Sequence, residues 1–189
     1  MINIVIPMAG QGSRFSKAGY EKSKPFIDVN GKPMIVRVLE NLAYPDARYI
    51  LIARKEHMEK EVKIVEQIEK CFNAIFIPID KLTEGTACTV LYARKYIDNN
   101  DPLLIANSDQ IVDMNIADFI DDCSERKLNG SILTFIDTQK DPKWSFAKVN
   151  ENKLVTKSRK SSKISNNNVS YSEEINEHNE LKDLFKKLF

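Results

Sequence analysis

A layered α/β fold around a largely parallel sheet is what this sequence predicts, and three observations carry it. Short apolar runs rich in β-branched residues alternate with longer amphipathic stretches from Asn3 onward, the pattern of strands alternating with helices. The first run breaks into "AGQGSRF", placing glycines directly after a buried strand. A later run, "PLLIANSDQIVD", ends in carboxylates, at the strand end where open α/β sheets bind ligands. With 189 residues, 42% of them hydrophobic, the chain suffices for one such domain, and a second full domain is not expected.

The elements follow in order. "NIVIPM" (Asn3 to Met8) is almost wholly apolar, as a strand buried on both faces would be. "GKPMIVRVLENLA" predicts a helix with Pro33 at its first position and Ile35, Leu39 and Leu42 on one face. "RYILIA" (Arg48 to Ala53) reads as the second strand, and "KEHMEKEVKIVEQIEKCF" as one long amphipathic helix laced with charge pairs at helical spacing. "NAIFIPI" (Asn73 to Ile79) is the third strand. "EGTACTVLYARKYI" reads as a helix entered through a glycine turn, and "PLLIANSDQIVD" supplies the fourth strand. A helix from Ile116 to Glu125, a strand "GSILTFI" (Gly130 to Ile136) and two short strands, "SFAKV" and "KLVTK", complete the ordered pattern over residues 1–157. Residues 158–172 have a Ser/Asn-rich, linker-like composition, and 173–189 form an amphipathic helix with Ile175, Leu181, Leu184, Phe185 and Leu188 on one face.

Composition narrows the function. Lys+Arg 28 against Asp+Glu 27 leaves a net charge of +1, so there is no global basic field to draw the chain to nucleic acid or an anionic membrane. Anion binding must be local. No apolar run approaches the roughly 20 residues that span a bilayer, and the N-terminus lacks the pattern of a signal peptide, so a cytoplasmic protein is expected. The three cysteines, Cys71, Cys88 and Cys123, are widely spaced, which suits reduced thiols better than a disulfide framework. With His57 and His178 the only histidines, a His/Cys zinc site is not expected.

The glycine loop has a chemical reading. Gly10, Gln11, Gly12 and Ser13 can bring backbone N–H groups close to a ligand, as a phosphate cradle does. Arg14, Lys17, Lys22 and Lys24 follow within a few residues. A triphosphate carries about four negative charges and needs such neighbours. A plain Gly-Ser turn with solvated lysines would read the same way. The loop is neither a Walker A sequence nor a G-x-G-x-x-G fingerprint.

"PMAGQGSRF" followed by "KSKPFIDVNGKPMI" resembles the signature of the nucleotidyltransferases that activate sugar phosphates and phosphocholine, with Pro7 and Met8 in place of the usual Leu-Ala. The likeness continues through "TEGTACTVLYAR" and "LLIANSDQIVD" to "WSFAKVNENKLVT", covering roughly residues 1 to 157. The resemblance implies a three-layer, Rossmann-like nucleotidyltransferase fold with a mixed, mainly parallel central sheet. It implies that the loop from Met8 and Ala9 through Ser13 wraps the triphosphate, that Arg14 contacts the phosphates and the departing pyrophosphate, and that Lys24 lies at the α-phosphate. It implies that Asp109 holds Mg²⁺, that Asn107 binds the nucleotide, and that Glu84, Gly85 and Thr86 line the nucleobase. Taken alone, Asp109 is also a common turn former or helix N-cap, Thr83 and Glu84 are ordinary capping residues, and Asp113 is a weaker metal candidate that leads into the next helix.

Beyond residue 157 the sequence departs from the family, with no equivalent of its acceptor strand or its second metal aspartate. Either acceptor binding is built differently or the chain is a truncated or altered relative. The expected function is nucleotidyl transfer from a nucleoside triphosphate to a small phosphorylated metabolite, foremost a sugar 1-phosphate for surface polysaccharide precursors. Two alternatives stand beside it: a non-catalytic nucleotide-binding remnant, and a glycosyltransferase, against which "NSDQ" lacks the first aspartate of an Asp-x-Asp motif. The expected partners are the two substrates, without nucleic acid or membrane; the sequence leaves room for a homo-oligomer.

Overall fold

The computed structural model describes residues 1–138 and 144–159. They fall into two compact units, Met1–Asn129 and a second that begins at Gly130. In chain order the first unit holds β1 (Ile2–Pro7), α1 (Ser13–Lys17), β2 (Asp28–Val29), β3 (Lys32–Pro33), α2 (Met34–Asn41), β4 (Ala47–Arg54), α3 (Lys55–Lys60), α4 (Val62–Cys71), β5 (Ala74–Ile79), α5 (Thr86–Val90), α6 (Arg94–Ile97), β6 (Leu103–Ile105) and α7 (Ile116–Glu125). The second holds the antiparallel pair β7 (Phe146–Val149) and β8 (Val155–Arg159).

Four strands form a parallel sheet in the order β5-β4-β1-β6. The chain steps outward from β1 to β4 and β5, then returns to lay β6 against the other side of β1. That reversal opens a crevice beyond the carboxyl ends of β1 and β6. Successive residues of a strand face opposite sides, and here both sides are filled. Ile4, Ile6, Tyr49 and Leu51 pack with Ile35, Val38 and Leu39 of α2, Val65 and Ile68 of α4, and Ile116 of α7. Val5, Ile50, Ile52 and Ile79 pack instead with Val90, Ala93 and Ile97. Helices on both faces make three layers, with burial of each such aliphatic side chain contributing about 1.5–3 kcal/mol. Among the described residues antiparallel pairing is confined to β7–β8 and to the β2–β3 hairpin, where Asn30 and Gly31 take φ 50° and 82°, the two left-handed residues of a tight Asn-Gly turn.

Four expectations differ in detail. The long helix after β4 breaks at Glu61 (φ −118°, ψ 34°) into α3 and α4; residues on each side keep helical spacing, so charge pairing does not reveal a one-residue kink. The helix after Gly85 tightens into a 3-10 turn at Leu91–Ala93, which keeps Val90, Ala93 and Ile97 on the buried face. Gly130 to Ile136 forms no strand: the segment has no regular structure and Ile136 is 91% exposed. A strand needs a neighbour for its N–H and C=O groups, and among the described residues none pairs with this one. The ordered pattern runs two residues past 157, because β8 includes Ser158 and Arg159. The rest of the linker-like segment and the terminal amphipathic helix lie outside the described residues.

Candidate active site

The crevice at the sheet's switch point is a cleft of ≈ 600 Å³, a size that suits a small ligand. Four segments build it: the turn after β1 running into α1, the Lys24–Pro25 step, the turn before α5, and the turn after β6. β1 ends at Pro7 and the Met8 amide donates to the Ile52 carbonyl at 2.9 Å, which carries the ladder one residue further. Met8 and Ala9 are then buried (3% and 5% exposed) while Gly10 emerges at the rim. Among the described residues, none accepts a hydrogen bond from the amides of Gly10, Gln11 or Gly12. These amides remain available to a ligand in the cleft.

The two glycines are required for different reasons. Gly12 has φ 60°, and a Cβ there would stand 3.2 Å from the Lys24 Cβ; both left-handed backbone and close approach favour glycine. A Cβ at Gly10, which lines the cleft, would meet no atom of the described residues within 4 Å, and its φ is not positive, so the glycine there leaves room for a ligand to approach the backbone. Gly12 caps α1, whose Arg14 lines the cleft, is exposed, and makes no ion pair among the described residues.

Lys24 opens a 3-10 turn, Lys24–Phe26, in which Pro25 and Phe26 are buried. That anchor aims its side chain across the cleft. Its Nζ lies 5.6 Å from the Phe15 ring centroid and donates to Asp109 Oδ2. Lys24 and Asp109 side chains are 29% and 37% exposed, so the pair is a weak lock, worth about 1 kcal/mol or less. Residues 85 apart in sequence thus meet at one point. Asp109 is no helix cap, since α7 is capped by Asn115, whose side chain accepts from the Ala117 amide. Asn107 lines the cleft with Ser108, and its Nδ2 donates to Gln110 Oε1 at 2.7 Å.

On the third wall, Gly85 and Thr86 line the cleft together with Leu82, Thr83 and Thr89. Thr83 does not cap α5 as an ordinary capping residue would. Among the described residues no side chain caps that helix, and the Thr83 hydroxyl instead donates to the Gly85 carbonyl at 3.3 Å and lies 2.5 Å from the Thr89 hydroxyl.

Met8, Ala9, Gly10, Gln11, Gly12, Ser13, Arg14, Lys24, Gly85, Thr86, Asn107 and Asp109 therefore share one cleft. Glu84 is exposed and outside its lining; Lys17 is exposed on α1; Lys22 lies 3.9 Å from Glu61; Asp113 is exposed. Thr89, Leu82, Ser108, Phe15 and Pro25 line it although the sequence reading gave them no role of their own. For Thr89 a signal existed: a threonine four residues after Gly85 in a helix can bond back to that carbonyl.

A family model for nucleotidyl transferases matches residues 4–158. The chain belongs to the nucleotidyl transferase family. Among curated relatives, the mannose-1-phosphate guanylyltransferase catalytic subunit beta of Xenopus tropicalis is 28% identical over 120 residues, 61% of this chain and 33% of the relative. The bifunctional protein GlmU of Methanocaldococcus jannaschii is 27% identical over 120 residues, 63% of this chain and 28% of its own. The chain thus spans about a third of the curated nucleotidyl transferases it matches. Among solved structures, a glucose-1-phosphate thymidylyltransferase from Bacillus anthracis aligns with TM-score 0.67 at 21% identity over 87% of this chain and 66% of that one. A UDP-glucose pyrophosphorylase complexed with UDP-glucose aligns with TM-score 0.65 at 14% identity over 86% of this chain and 70% of that one. Both share the family's three-layer fold.

Proposed function

We propose that this chain transfers a nucleotidyl group from a nucleoside triphosphate to the phosphate of a small metabolite. The observation that carries the reading is the meeting of Lys24 with Asp109 beside the free amides of the glycine loop. A phosphate oxygen of the acceptor forms a bond to the α-phosphorus in line, the bond to the α,β-bridging oxygen breaks, and pyrophosphate leaves with that electron pair. The acceptor is already an anion, so no general base is required, and alignment with charge neutralisation carries the reaction. Gly10, Gln11 and Gly12 amides and Arg14 bind the β- and γ-phosphates, Arg14 receiving charge as pyrophosphate departs. Lys24 leaves Asp109 for the α-phosphate and neutralises charge that grows there in the transition state.

Asp109 is the carboxylate that the cleft offers a metal, and among the described residues no cluster of three or more His, Cys, Asp or Glu side chains competes with it. That donor set fits Mg²⁺, which takes few carboxylates and draws the rest of its shell from phosphate oxygens and water. Bound there, Mg²⁺ would polarise the α-phosphate. The cleft suits no metal held by protein alone.

A sugar 1-phosphate is the leading acceptor, in keeping with the substrates in the relatives' names, and phosphocholine follows. The product would serve surface polysaccharide synthesis from the cytoplasm. Among the described residues no helix is long and apolar enough to cross a membrane. The test is pyrophosphate release with Mg²⁺ from a panel of nucleoside triphosphates crossed with sugar 1-phosphates and phosphocholine. Acceptor-dependent release that falls at least a hundredfold, about the scale of one lost transition-state donor, in Lys24→Ala and in Asp109→Ala is the expected result. Triphosphate binding with no release under any pairing would instead leave a nucleotide-binding protein.

A further inference from the structure

We propose that Thr89 is a positioning residue that sets which nucleobase this cleft prefers; the inference rests on the reading of the cleft as a nucleoside triphosphate site. Thr89 is 5% exposed on α5, and its Oγ1 lies 3.1 Å from the Gly85 carbonyl, to which its own backbone N–H also donates at 3.0 Å. A threonine bonded back to its i−4 carbonyl is ordinary helix chemistry. What lies outside that chemistry is Thr83, whose hydroxyl comes from beyond the helix to 2.5 Å from Thr89 Oγ1 and 3.3 Å from the same carbonyl.

Three oxygens therefore close a ring with two hydroxyl protons to share. One proton serves the carbonyl and the other joins the two hydroxyls, so the ring ties the irregular turn through Thr83 to the first turn of α5. Thr89 is the buried member, 5% exposed; losing its hydroxyl leaves Thr83 only its longer, 3.3 Å contact with the Gly85 carbonyl and loosens the turn.

A second observation shows what the turn faces. Gly85 has φ 180° and ψ 177°, an extended backbone that any residue adopts, and a Cβ there would meet nothing within 4 Å. Neither conformation nor crowding within the protein accounts for glycine at this position. Gly85 and Thr86 both line the cleft, so the glycine leaves a ligand there free to approach the backbone. The ring is uncharged and the cations stand on the glycine-loop wall, so its effect falls on the base and not on the phosphates. A hydrogen-bonding edge held at fixed height discriminates among bases; the same edge set loose does not.

The test is equilibrium binding of the four ribonucleoside triphosphates, and of inorganic tripolyphosphate, each with Mg²⁺, to the parent chain, Thr89→Val and Thr89→Ser. Thr89→Val keeps the side-chain shape and removes the hydroxyl. The ratio of affinities between the best- and worst-bound nucleotide should fall roughly three- to tenfold, the scale of one or two hydrogen bonds, while tripolyphosphate affinity stays within about twofold. Thr89→Ser should return the ratio to the parent value. Should Thr89→Val fail to fold, Thr83→Val opens the ring from its accessible side and should give the same loss. An unchanged ratio in a folded valine variant overturns the inference alone, as does an equal weakening of nucleotides and tripolyphosphate, or a parent that binds all four nucleotides alike. A parent that binds no triphosphate overturns the reading of the cleft and this inference with it.

Discussion

Two walls of the cleft are built from opposite materials. The wall formed by the glycine loop, Lys24 and Asp109 is charged, draws on residues far apart in sequence, and is held by strands of the buried sheet. The wall lined by Leu82, Thr83, Gly85, Thr86 and Thr89 is neutral, local in sequence, and held by two hydroxyls and one carbonyl that share two protons. Charge that develops during a reaction is stabilised by the first kind of wall, whereas shape and hydrogen-bond polarity are read by the second. The largest expected effect therefore belongs to Lys24. Lys24→Ala should lower kcat for pyrophosphate release by about 10²–10³, the scale of one lost transition-state donor, with nucleotide affinity changed less than tenfold. Equal losses in kcat and in affinity would erase the division between the walls.

The two loop glycines sharpen the comparison within the charged wall. Gly12→Ala imposes a side chain at φ 60° and pushes its Cβ to 3.2 Å from that of Lys24. The left-handed backbone costs roughly 1–2 kcal/mol, and displacement of Lys24 adds to it. Turnover should drop by about ten- to a hundredfold together with a lower Tm. Gly10→Ala meets neither obstacle within the protein, so its Tm should match the parent while triphosphate affinity falls. A Gly10→Ala chain with parent affinity would mean that the phosphates do not approach that residue.

The charged wall was far more legible in the sequence than the neutral one. Gly10, Gly12, Arg14 and Lys24 fall within one short motif, and the apolar run before Asp109 places that carboxylate at a strand end. What the motif does not state is that Lys24 and Asp109 touch, because their meeting depends on β6 returning to the far side of β1. Thr89 escaped notice since its hydroxyl has meaning only with Thr83 and a helical backbone between them. Strands fared likewise: β1 and β4 are buried, β5 is half-buried, and all three announce themselves by apolar runs. "GSILTFI" carries the same composition without a ladder partner among the described residues, and composition alone does not make a strand.

Salt separates the walls without mutation. Raising ionic strength screens the attraction between Arg14, Lys24 and the phosphates, so affinities for all nucleotides should weaken several-fold together from low to physiological salt. The ratio between nucleotides should hold within about twofold, because the hydroxyl ring has no charge to screen. A ratio that moves with salt would show the base being read by a charged group.

The smallest effect concerns acid, where loss of activity at the charged wall has to be told apart from loss of fold. His57 on α3 is largely buried, its side chain 12% exposed, and its Nδ1 has no hydrogen-bond partner among the described residues. Burial lowers its pKa, with Glu56 opposing and Arg54 and Lys60 assisting. Above the ordinary histidine value of about 6.5, folded and unfolded chains both carry it neutral, and it contributes nothing to the pH dependence. As pH falls below that value the unfolded chain takes up the proton first, so stability declines until pH passes the depressed folded value. His57→Gln should flatten this decline in Tm between pH 7 and 5. If the acid limb of turnover flattens with it, the limb reports unfolding. A limb that persists in His57→Gln belongs to the charged wall and its ligands, and the comparison between the walls then extends to pH.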